Sequence, residues 1–336
     1  MTAAGLKGFL KSSFDTALAW PIAHAGFRGM TFAAAFASSS DFHPLTHSGI
    51  APFVTAFGDV RRLIKICDVI DDQVDNADPE IAAAADFSRD QDGVSRFLHD
   101  TRFVPAQYIS VLRNLHDKGV VDFDVAIGYS NAFCDFVKHR AGMQANFAAS
   151  GYTLEERKEM MEENINFAGL FGSFFFGLVQ PPSSPLNEGV SHESVSRAYP
   201  EVYQINRLGQ MLDDLRDLLI DIHDEMKTGH VSPNAIMASA RGIQDSHEIL
   251  RFMETRKNSR SVAVTALPNS LQEGVRDIQD RFFSDVSSIH SRTARNILES
   301  FWRNTVREEI ATLNHPRVLK KLAAEAAMSQ SFDCGP

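Results

Sequence analysis

Two Asp-rich segments with the same internal spacing constrain this chain more than any other feature: Asp71-Asp72-Gln73-Val74-Asp75 and Asp213-Asp214-Leu215-Arg216-Asp217. At about 100° per residue along a helix, Asp68, Asp71, Asp72 and Asp75 share one face. Leu63, Ile66, Ile70 and Val74 form the other. The second segment repeats the arrangement, with Asp213, Asp214, Asp217, Asp221 and Asp224 on one face and Leu212, Leu215, Leu219 and Ile222 opposite. Carboxylates four residues apart on a helix repel by a few tenths of a kcal/mol per pair. One such cluster is ordinarily a solvated helix face. Two, each backed by an apolar stripe, point to cations that neutralise them. Oxygen donors without His or Cys beside them suit a hard ion, Mg²⁺ or Mn²⁺, of the kind that bridges carboxylates to substrate phosphates.

Ions can be shared between segments so far apart in sequence only if the chain folds into one bundle. Apolar residues recur with a period near 3.6 along nearly every long segment, and no alternating strand stands out. The spacing predicts helices over 53–77, 96–118, 123–149, 153–178, 196–227, 232–256 and 268–313. Thr153-Leu154-Glu155-Glu156 reads as a capping box that opens one of them. Pro181-Pro182-Ser183-Ser184-Pro185 and the stretch from Asn258 to Ser270 read as loops. The expectation is a single all-α domain over 41–328 with a central cavity between facing helices. A helical extension over 1–40 precedes it, and a frayed tail over 329–336 follows.

With 336 residues, 44% of them hydrophobic, the chain can bury a large core. Its net charge of −10 argues against a nucleic-acid surface, which needs clustered Lys and Arg. Three scattered cysteines, Cys67, Cys134 and Cys334, form neither a disulfide framework nor a zinc site and fit a reducing cytoplasm. No apolar run reaches transmembrane length. The Ala- and Phe-rich first 40 residues are compatible with helices lying on a membrane surface. Phe outnumbers Tyr 25 to 5, which suits an oily interior.

Carboxylate clusters facing each other across an apolar cavity could hold metal ions that grip a diphosphate and promote its departure from an allylic carbon. The rest of such a cavity must be dry, because an allylic cation is quenched by any exposed nucleophile. The stretch from Phe167 to Gly177, with Gly169, Phe171, Phe174 and Phe175, is a candidate wall. Phe rings stabilise a cation by about 0.5–2 kcal/mol each. The plain alternative is a buried Phe-rich helix that uses Gly for close packing.

Cys67 to Asp75 followed by Pro79 resembles the first Asp-rich motif of the squalene/phytoene synthase family. Leu208-Gly209-Gln210 followed by Asp213, Arg216-Asp217 and Asp221 is similar to the second, with Asp213 where the family usually has Asn. Gly142-Met143, Tyr152-Thr153, Glu155-Glu156 and Ala168-Gly169-Leu170-Phe171-Gly172 look like the middle segment. The resemblance spans roughly 40 to 235 and implies the isoprenoid-synthase fold, Mg²⁺ and a prenyl diphosphate substrate. It makes Asp71, Asp75, Asp213, Asp217 and Asp221 metal ligands, with Asp72 and Asp214 in support. Arg216 and Lys227 become diphosphate contacts.

The departures bear on the second substrate. Asp68 and Gly151 stand where the family commonly has Arg, and Gly229-His230-Val231-Ser232-Pro233 lacks the family's Arg and Tyr. Lys65, Lys138 and Arg140 are candidate replacements. Loss of those cations with retention of the acids favours a prenyltransferase that ionises one allylic diphosphate and passes the cation to a non-isoprenoid small molecule. An electron-rich aromatic is the natural acceptor. His230 is then a candidate proton acceptor for the alkylated ring. Head-to-head condensation of two diphosphates, a terpene cyclase and a non-catalytic scaffold of the same fold remain as alternatives.

Overall fold

A computed structural model describes residues 59, 105–119, 122–177, 189–240, 246–256, 258–307, 310–311 and 319. The predicted helix over 53–77, the extension over 1–40 and the tail over 329–336 lie outside the described residues, Asp59 apart. The described part is all-α. Its helices are α1 (Pro105–Asp117), α2 (Phe123–Ser150), α3 (Leu154–Gly177), α4 (His192–Ala198) and α5 (Pro200–Thr228). α6 (Ala235–Ser239), α7 (Ser246–Arg256), α8 (Asn269–Ser287) and α9 (Arg292–Arg307) complete them. No helix among the described residues is long and apolar enough to cross a membrane.

The capping box at Thr153 forms as expected. Its hydroxyl accepts from the Glu156 N–H at 3.2 Å, and the Glu156 carboxylate accepts from the Thr153 N–H at 2.7 Å. Three predicted helices are interrupted. The one over 196–227 divides at Tyr199 because Pro200, suited to the first turn of a helix, starts α5 afresh. The one over 232–256 begins only at Ala235, and α6 stops after Ser239. The one over 268–313 breaks between α8 and α9, where the Ser287 and Ser288 hydroxyls donate back to main-chain carbonyls and Ser291 caps Ala294. The loop expected from Asn258 holds a strand, β1 (Ser261–Val262), and a 3₁₀ turn (Val264–Ala266). β1 pairs antiparallel with β2 (Ile310–Ala311), Ser261 opposite Ala311 and Val262 opposite Ile310.

α5 is the centre of the bundle. It runs against α3 and also touches α4, α6, α8, α9 and β2. Its apolar stripe is as read from the sequence: Leu212, Leu215, Leu219 and Ile222 are all buried, beside Ile236, Phe282 and Trp302. Each such side chain contributes about 1.5–3 kcal/mol on leaving water. Phe282 stacks on Trp302 with ring centroids 4.6 Å apart, joining α8 to α9.

α5 ends at Gly229, whose φ of 75° lies in the left-handed region that glycine enters without penalty. The chain then passes into residues 229–234, a segment held at Val231, Ser232 and Asn234. Gln144 of α2 pairs with both polar groups of the Val231 peptide. Arg157 and Glu225 hold Ser232, and Asn234 holds α5 itself.

Candidate functional site

The second Asp-rich segment sits in the middle of α5. Four-residue spacing puts Asp213, Asp217 and Asp221 in a row with a rise of about 6 Å per step. All three are half-buried, while Asp224, one turn further, is exposed. Arg216 flanks the row, three residues on from Asp213, with its Nη1 3.9 Å from the Asp213 carboxylate. Asp221 accepts from Asn234 Nδ2 at 2.6 Å.

Asp214, expected in support of the metal ligands, has a different environment from its neighbours. Its residue is only 5% exposed. One carboxylate oxygen accepts from Gln210 Nε2 and the other from the Ala235 N–H, both at 2.8 Å. Its carbonyl accepts from Asn234 Nδ2 at 2.6 Å. Burial pushes its carboxyl up to about 7, against the opposing pull of the Ala235 and Gln210 donors. Asp214 therefore ties the start of α6 to α5. Asn234 completes the tie, because its Oδ1 caps the Ile236 and Met237 N–H groups. A Pro-Asn pair just before an apolar run was the available signal for that cap.

The remaining candidates fall in several places. Asp71, Asp72, Asp75 and Lys65 lie outside the described residues, as do the side chains of Lys138 on α2 and Phe175 on α3. Lys227 is exposed in the last turn of α5, where a cation also complements the helix dipole. Arg140 is 4% exposed; it donates to Asn164 at 3.1 Å, and its guanidinium lies over the Phe136 ring at 5.7 Å. It thus points between α2 and α3. His230 is half-buried, and its Nδ1 has no hydrogen-bond partner among the described residues.

Gly169 and Gly172 of α3 leave room for side chains of α5. A Cβ at Gly169 would sit 2.8 Å from the Arg207 side chain and 3.0 Å from the Tyr203 ring. Phe171 and Phe174 join a continuous aromatic row between α2 and α3. Phe136 stacks on Phe167 at 3.9 Å, Phe167 on Phe171 at 5.4 Å, and Phe133 on Phe171 at 5.5 Å. Tyr129 closes the row against Phe174 at 4.9 Å. The Phe residues of α3 stood out in the sequence; the α2 rings that pack on them, Tyr129, Phe133 and Phe136, did not.

An open cleft of about 630 Å³ lies elsewhere, lined by the start of α3, the end of α6 and α8. Its walls carry Glu155, Glu159, Glu162 and Arg281, the last paired with Glu162 through both guanidinium nitrogens. That lining is charged and differs from the apolar cavity expected.

Among the described residues no three His, Cys, Asp or Glu side chains gather closely enough to hold a metal ion. The α5 carboxylates are nonetheless the donor type a hard divalent cation takes, one or two per ion with the rest from water or phosphate. No protein-family model matches the chain, and neither a search of curated proteins nor one of solved structures finds a match.

Proposed function

We propose that this chain is a Mg²⁺-dependent prenyltransferase of the isoprenoid-synthase type. It ionises an allylic prenyl diphosphate and transfers the prenyl group to a non-isoprenoid aromatic small molecule. The allylic C–O bond breaks and pyrophosphate leaves with the electron pair. A ring carbon of the acceptor bonds to the allylic carbon, and the ring then loses a proton.

The half-buried row of Asp213, Asp217 and Asp221 carries this reading. Like charges lifted partly out of water on one face repel more strongly than on an open surface. α5 nevertheless keeps them on a face pinned by Asp214 and Asn234, opposite a fully buried apolar stripe. Mg²⁺ bound there would neutralise the departing pyrophosphate. Arg216, beside that row, would be a diphosphate contact, and the aromatic row of α2 and α3 would supply an unreactive wall. His230, whose Nδ1 has no hydrogen-bond partner among the described residues, is the group suited to accept the ring proton.

The test is pyrophosphate release from dimethylallyl, geranyl, farnesyl and geranylgeranyl diphosphates, with Mg²⁺ or EDTA, followed by mass spectrometry of the products. Mg²⁺-dependent release that yields prenyl alcohol without acceptor, lost in Asp217→Asn with helicity unchanged, supports the reading. A symmetric hydrocarbon would return the chain to head-to-head condensation. No release from any of the four would remove the enzymatic reading.

A further inference from the structure

Asn234 makes every hydrogen bond an amide side chain can make, and helix capping accounts for only half of them. The residue is 1% exposed. Its Oδ1 accepts from the Ile236 and Met237 N–H groups at 3.0 and 3.3 Å, which opens α6. Its Nδ2 donates to the Asp214 carbonyl and to Asp221 Oδ2, both at 2.6 Å. Ser, Thr and Asp also cap helices well. A Ser or Thr hydroxyl is too short to replace both donors, and an Asp there would set a carboxylate against Asp221. Among these residues only Asn caps α6 and also donates twice to α5.

The bond to Asp221 has a use beyond folding. Asp221 is half-buried on the α5 row, about one helical turn from Asp217. Carboxylates at that spacing repel, and one that could turn freely would swing away into water. Asn234 holds one of its oxygens instead, and Asn234 cannot turn without losing buried bonds to both α5 and α6. A neutral amide at position 221 would accept the same bond without the repulsion. The fold therefore needs an acceptor there and has no need of a charge. A charged ligand held in one orientation is what a hard cation takes, and a donor behind a ligating carboxylate fixes that orientation.

We infer that Asn234 is a positioning residue for divalent-cation binding: it orients Asp221 on the α5 row and itself touches neither ion nor substrate. The inference rests on the proposed function and extends its metal site from α5 to the cap of α6.

The experiment measures Mn²⁺ binding to the full chain, without any diphosphate, from the electron paramagnetic resonance signal of the free ion. Asp221→Asn should weaken binding, because it removes a charged ligand while keeping an acceptor for Asn234. Asn234→Ser keeps an N-cap and removes the donor to Asp221. It should weaken Mn²⁺ binding about ten- to hundredfold, with helicity unchanged. In the Asp221→Asn background the same Asn234→Ser substitution should change affinity less than about twofold, because the two residues act as one unit. Equal Mn²⁺ affinity in wild type and Asn234→Ser would overturn the inference and leave the metal site standing. An equal loss from Asn234→Ser in both backgrounds would also overturn it, since the effect would then run through the fold and bypass Asp221. No Mn²⁺ bound by wild type, or binding unchanged in Asp221→Asn, would remove the proposed metal site and this inference with it.

Discussion

Gln144 and Val231 are paired amide to peptide across 87 positions of sequence. Gln144 Nε2 donates to the Val231 carbonyl at 2.6 Å, and its Oε1 accepts the Val231 N–H at 3.0 Å. Both residues are buried, so no water replaces a lost partner. Gln144→Met keeps the volume but strands a buried donor and a buried acceptor. At about 1–3 kcal/mol for each group left unsatisfied, the loss should reach about 2–5 kcal/mol, read from the urea midpoint. A change below about 0.5 kcal/mol would show that the 229–234 segment is held without this pair.

Arg157 is the second anchor of that segment, and at 2% exposure it is one of the largest fully buried side chains. It donates to Glu225 at 2.5 Å, to the Tyr152 hydroxyl at 3.1 Å and to the Ser232 carbonyl at 3.3 Å. Arg157→Met leaves the Glu225 carboxylate poorly solvated and should cost about 3–5 kcal/mol. The double substitution Arg157→Met with Glu225→Gln should recover most of it, since the pair's main liability is a lone buried charge. Equal loss in single and double variants would locate the effect in packing.

The α5 stripe and the Thr153 capping box were readable because each is a local periodicity or a four-residue pattern. Leu212, Leu215, Leu219 and Ile222 repeat at helical spacing, and Glu156 reaches back only to Thr153. The partners of Asp214 were not readable, for the opposite reason. A helical wheel puts it beside Asp213, but its partner, the Ala235 N–H, lies 21 positions away. Gln144 and Arg157 likewise take their roles from residues distant in sequence, Val231 and Glu225, and nothing in their immediate sequence marks them. The break before α9 was hidden because Ile289 continues the apolar period while the serines around it terminate the helix.

Two glycines where helices nearly touch should respond differently to the same added methyl. At Gly172 a Cβ would overlap the side-chain amide of Asn206, which now donates to the Val202 carbonyl at 2.8 Å. Gly172→Ala should therefore lose about 1–3 kcal/mol by overpacking, and adding Asn206→Ala should restore most of it. At Gly274 the overlap is with the Ile236 carbonyl oxygen, which is backbone and cannot swing aside. Gly274→Ala should be the more damaging, measured by thermal melting of both. The reverse order would mean that α6 moves more easily than the Asn206 side chain.

Asp214 makes stability depend on pH in a direction opposite to the usual carboxylate. Its folded-state value, pushed up to about 7, lies above the unfolded value of 3.8. Between those limits the folded chain holds a proton that the unfolded chain has lost, so this contribution is fully present below about pH 4 and disappears as pH rises through about 7. The whole swing is up to about 4 kcal/mol, and the carboxylates of Asp213 and Asp217 add to it by repulsion. Asp214→Asn removes the charge and can keep both contacts. Its Oδ1 would accept from Ala235, and Gln210 would turn its amide to present oxygen to Nδ2. Urea unfolding at pH 5 and pH 8 should show wild type losing stability across that interval relative to Asp214→Asn. Above pH 7 the variant should be the more stable of the two. Parallel pH dependences would show that Asp214 is already ionised at pH 5, with the Ala235 and Gln210 donors outweighing burial.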